Sequence, residues 1–141
     1  MFGQDRQQLR QFFKTSWDKR LAGQPLQALE QIVAQVVEQH PEYHAALADP
    51  DALERDYSVE TGQTNPWLHM AMHVTIAEQV GSDRPAGFRS AYQATVLRLG
   101  DPHQADHAIL ECLGQTLWEA QRAGGLPDES AYLECVRRLG R

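Results

Sequence analysis

The chain of 141 residues holds only two cysteines, Cys112 and Cys135, and they form no CxxC spacing. A disulfide framework is therefore not expected, and each cysteine reads as a reduced thiol serving as a small hydrophobe among helical apolar residues. No stretch approaches the ~20 consecutive apolar residues of a membrane span. The opening MFGQDRQQLRQFF has no basic start followed by an apolar core, so a leader is not expected and the cytoplasm is the expected compartment. Lysine and arginine are scattered and the formal net charge is −6. That balance excludes a general nucleic-acid binder, which needs clustered cations to displace counterions. Sustained period-two alternation and Asn-Gly hairpin signals are also missing, so strands find no support.

What remains is helical. The expected fold is all-α, a compact bundle of about five to six helices forming a single domain over residues 1–141. Leu9, Phe12, Phe13, Trp17 and Leu21 recur at helical spacing and Gly23 follows as a stop. Pro25 suits a first helical turn, after which Leu29, Ile32, Val33, Val36 and Val37 make an apolar stripe that carries His40 inward. Asp49-Pro50-Asp51 can start a further short turn, and Ser58 to Pro66 reads as a loop rich in turn residues. WLHMAMHVTIAEQV, from Trp67 to Val80, is apolar nearly all round, as in a helix buried among others. Phe88, Tyr92, Val96 and Leu99 carry the next helix. A long one runs from Pro102 to about Ala123, and a short one from Asp128 to Leu139 closes the chain.

The most informative residues are the histidines. All six fall into pairs four apart: His40 and His44, His69 and His73, His103 and His107. On an α-helix such a pair lies on one face and can present two imidazole nitrogens to one point, which is half a metal site. Several histidines with a carboxylate suit zinc or iron first, then nickel or copper, better than magnesium or calcium. At about 100° per residue, Glu111 falls near His107 and is the carboxylate best placed to join. Glu78 falls about 180° from His69, so it is expected to serve a neighbouring helix or to pair with Arg84, Arg89 or Arg122. Pro41 complicates the first pair, because the residue before proline is pushed out of the helical region. The histidines can alternatively be hydrogen-bonded in a core by Tyr43, Tyr92, Asp106 or backbone groups.

The segments HPEYH from His40, NPWLHMAMH from Asn65, EQVGSDRPAGF from Glu78, DPHQADH from Asp101 and WEAQR from Trp118 together resemble the bacterial family called domain of unknown function 1841. The resemblance covers nearly the whole chain. It implies a small, cytoplasmic, helical bacterial protein whose family motifs include the histidine pairs, and it names no substrate.

The functional expectation is an internal metal site built from His69, His73, His103 and His107, completed by His40, His44 and Glu111. Whether it is an enzyme is left open by the sequence. The competing class is an interaction module, with histidines as core hydrogen-bonders or pH sensors and a face bearing Phe12, Phe13 and Trp17 docking a partner. Neither nucleic acid nor membrane is an expected partner. A protein partner or a homo-oligomer stays open.

Overall fold

A computed structural model of the chain describes residues 6–54 and 65–141. Among the described residues there are seven α-helices, one 3-10 turn and no strand, so the all-α expectation holds while the count of five to six is too low. The extra element comes from the segment after Pro41, where the break yields a separate short helix. The helices are α1 (Arg6–Leu21), α2 (Ala28–Glu38), α3 (His44–Ala48), α4 (Pro66–Ser82), α5 (Phe88–Leu99), α6 (Pro102–Ala123) and α7 (Glu129–Leu139), with the 3-10 turn at Pro41–Tyr43. The loop read from Ser58 lies outside the described residues up to Asn65. The chain divides into two compact units, Met1–Val74 and Thr75–Arg141.

In the first unit α1 packs on α2, and the core gathers Phe13, Val33, Val37, Leu47, Trp67 and Met70. Phe13 meets the Trp67 ring edge-on at 6.3 Å, the arrangement that aligns a positive ring edge with a negative face. Arg10 is buried, donates to the Ala52 carbonyl at 3.0 Å and places its guanidinium 5.5 Å from the Trp67 ring centre. A buried charge is tolerable there because both its donors and its face are engaged. Helix α2 starts at Ala28, three residues later than Pro25 suggested. Glu30 reaches back to the Gln27 amide at 2.8 Å, half of a capping box. The same carboxylate pairs with Lys19 of α1 at 2.7 Å, and the lysine, then the Gln27 amide, holds it below the usual range. Arg20 and Glu38 form a second pair between these helices.

In the second unit α5, α6 and α7 pack pairwise on one another around Phe88, Ile109, Leu113, Tyr132 and Val136. Asp101 caps α6 by accepting from the His103 amide at 3.1 Å, and Asp128 caps α7 by accepting from Ala131 at 3.0 Å. Gly140 is where α7 ends tightly against α5: a Cβ there would stand 2.8 Å from the Cβ of Ala94. Cys112 and Cys135 are joined in a disulfide between α6 and α7. This corrects the expectation of two reduced thiols. The apolar surroundings were read correctly, but the two helix faces oppose each other and bring the sulfurs together.

Candidate metal centre

Three of the expected histidines converge within the first unit. His40 follows the end of α2, whereas His69 and His73 occupy successive turns of α4. One ring nitrogen from each lies within 4.8 Å of those of the other two. His40 and His73 are buried at 2% exposure each, and His69 is half-buried. The rings meet edge to face, with centroids 5.3 Å apart for His40 and His69, 4.6 Å for His40 and His73, and 4.8 Å for His69 and His73.

Local sequence explains each placement. Asn65 accepts from the amides of Trp67 and Leu68 at 3.0 and 3.2 Å, fixing the start of α4 with Pro66 in its first turn. His69 thus sits in the first turn of that helix. The apolar stripe of α2 carries His40 inward, and Pro41 stops the helix so that the His40 ring folds back on the last turn. Its Nδ1 lies 2.7 Å from the Val36 carbonyl. A carbonyl only accepts, so Nδ1 carries the proton and Nε2 carries the lone pair of the neutral ring. Imidazoles that do ligate metals usually carry such an anchor on the other ring nitrogen, which sets both the tautomer and the ring orientation.

The proline also separates His44 from His40. The two stand on different elements, and His44 donates from Nε2 to the Val37 carbonyl at 2.9 Å while its ring packs 4.7 Å from that of Trp17. Tyr43 takes the place beside His40 instead, with rings parallel within 6° and 5.6 Å apart. It also faces His69 at 5.9 Å. Burial, with Glu42 nearby, pushes the Tyr43 phenol up, so it stays protonated at neutral pH. The sequence alone offers Tyr43 only as a hydrogen-bond partner. Its position in HPEYH, just inside the turn started by Pro41, is the signal for more.

No carboxylate among the described residues of the first unit joins the three histidines. Glu111 is exposed on α6. His103 and His107 occupy the first two turns of α6, both exposed, with ring centroids 4.4 Å apart. Asp106 accepts from the Tyr92 hydroxyl at 2.8 Å. Glu78 forms none of the expected arginine pairs: Arg89 donates to the carbonyls of Val80 and Gly81, and Arg122 lies over Trp118. Its Oε1 is buried without a hydrogen-bond partner among the described residues, and burial pushes its carboxyl up.

An all-helical protein with a cluster of three imidazoles is the class these observations define. The sequence pattern of the family described as a domain of unknown function (DUF1841) matches residues 5–138, and the chain belongs to that family. No curated protein and no solved structure matches the chain. Among the described residues no helix is long and apolar enough to cross a membrane.

Proposed function

We propose that this protein binds a transition metal through His40, His69 and His73. The observation that carries the reading is the convergence of three imidazoles within 4.8 Å, one of them held by the Val36 carbonyl with its lone pair on Nε2. The Nε2 atoms of His69 and His73 are 3.2 Å apart. Two ligands on a tetrahedral zinc stand about 3.3 Å apart, given bonds of about 2.0–2.1 Å. The wider separations would close by up to about 1.5 Å on the same basis, within reach of small ring rotations.

Zinc fits this donor set best, and iron is second. Three neutral nitrogens leave the ion its full charge, and a fourth position taken by water would make an open site in which that water is acidified for hydrolysis. Nickel and copper also accept imidazole, whereas magnesium and calcium require oxygen donors. The repeated spacing in the sequence nominates His107 and His103 as additional ligands, ahead of His44 and Glu111. A cytoplasmic setting, with neither nucleic acid nor membrane as partner, belongs to the same reading.

The test is elemental analysis of tag-free protein purified without added metal or chelator. Wild type is expected to carry near-stoichiometric zinc or iron, and His40→Ala and His73→Ala to lose it while His44→Ala retains it. Circular dichroism of each variant separates lost ligation from lost folding. A metal-free wild type that also fails to take up added zinc or iron overturns the reading and leaves a hydrogen-bonded histidine cluster.

A further inference from the structure

The second unit contains a cavity of about 350 Å³ between α4, α6 and α7 that the metal reading does not use. Its walls are largely apolar, with Leu113 and Leu117 from α6 and Pro85 and Pro127 from the connections. Polar side chains break that lining, and three of them, Gln79, Arg84 and Glu129, can serve a charged ligand. Gln79 accepts from the buried Tyr132 hydroxyl through Oε1 at 2.7 Å, which fixes the amide and leaves its NH2 end as the donor for a ligand. Arg84 and Glu129 bring opposite charges to the same cavity, yet among the described residues neither is ion-paired with the other or with any other group.

We propose that this cavity binds a small zwitterion with an apolar body, the chemistry of a free aliphatic amino acid. The Arg84 guanidinium and the Gln79 amide would take the carboxylate, Glu129 the ammonium group, and Leu113 and Leu117 the side chain. The volume lies at the low end of small-molecule sites, about 300–1,000 Å³, which suits a ligand of amino-acid size and excludes a dinucleotide. A plain carboxylate would leave Glu129 as a like charge beside it, and a plain amine would do the same at Arg84. A ligand carrying both charges satisfies both walls. Binding through charge-assisted hydrogen bonds gives the orientation, and the apolar wall selects the side chain.

The bond between Cys112 and Cys135 ties α6 to α7, the two helices that supply Leu113, Leu117, Glu129 and Tyr132. When the bond is formed, their separation across the cavity is covalently limited, a pre-organisation that lowers the ordering cost of binding.

Isothermal titration calorimetry of the full chain against L-leucine and L-methionine tests the proposal. Saturable binding of at least one is expected. The single-charge analogues 4-methylpentanoate and 3-methylbutylamine should bind at least about tenfold more weakly, as should L-leucine or L-methionine to Arg84→Gln and Glu129→Gln, each of which removes one charged hydrogen-bond partner. Both substitutions are at exposed positions, and unchanged melting curves would confirm that the fold is kept. Leu117→Trp, at a wall residue that is 43% exposed, should fill the cavity and abolish binding. Absence of saturable binding by both amino acids, equal affinity for the analogues, or undiminished affinity in the two charge variants would overturn it.

Discussion

The Nε2 atoms of His69 and His73 lie 3.2 Å apart on successive turns of α4. That distance serves two arrangements. Without metal it is an N–H···N hydrogen bond, one ring donating and the other accepting. With a metal bound it would become an edge of the donor set, and the proton of the donating ring would move to that ring's own Nδ1, so that both Nε2 atoms present lone pairs. Metal binding would then be tied to folding. Added zinc is accordingly expected to raise the melting temperature of wild type, by about 3 kcal/mol of stability at a hundredfold excess over Kd. The gain should vanish in His69→Ala/His73→Ala. Thermal melting with and without zinc, followed by chelation, checks it; a wild type indifferent to zinc contradicts it.

His40 offers a test that needs no metal. Its Nδ1 donates to the Val36 carbonyl, so the neutral ring is the Nδ1–H tautomer, whereas His44, donating from Nε2 to Val37, is the Nε2–H tautomer. Long-range nitrogen–proton NMR correlations at neutral pH should report opposite tautomers for these two histidines, four residues apart. Zinc titration should then shift Nε2 of His40 and leave His44 unmoved. Identical tautomers would remove the anchor on which the ligand assignment stands.

Glu78 is expected to work against stability at neutral pH. Its Oε1 is buried without a hydrogen-bond partner among the described residues, and burial raises its folded pKa above the unfolded value. Between those two values the folded state binds more protons than the unfolded, so this contribution falls as pH rises and the full cost is present above the folded pKa. Glu78→Gln should therefore raise the melting temperature by a few degrees at pH 7 and by less near pH 4. An equal gain at both pH values would show that charge burial is not the cause.

The elements were legible because their signals are local. Apolar periodicity, the Asn65-Pro66 and Asp101-Pro102 starts and the Gly124 stop gave α1, α4, α6 and α7 nearly to their ends. The sequence marks Pro41 as a break but does not show what the break does. By ending α2 before His40 it frees that ring to turn back onto Val36, and it sends His44 toward Trp17. Spacing four apart therefore describes two histidines on one helix at His69 and His73, and two on different elements at His40 and His44. The arithmetic of periodicity cannot distinguish these outcomes, since it assumes a continuous helix. Glu111 was drawn toward the site by the same arithmetic, which fixes direction around α6 and not which surface that direction meets.

The cysteines illustrate this limit from the other side, and they yield the last prediction. Each position reads correctly as apolar, yet pairing depends on the register between α6 and α7, separated by the turn through Gly124. The bond closes a loop with a sequence separation of 23. In the chain-entropy treatment a loop of this length restricts the unfolded state by about 3 kcal/mol. Cys112→Ser/Cys135→Ser should lose about that much in urea unfolding relative to oxidised wild type, and wild type under reductant should lose a similar amount. Rapid alkylation of freshly lysed cells, read by mass spectrometry, gives the state in vivo. The cytoplasm would hold both thiols reduced, while an oxidising compartment would preserve the bond. Recovery of the oxidised pair would thus contradict the cytoplasmic assignment without touching the proposed metal centre, because neither cysteine is in the histidine cluster.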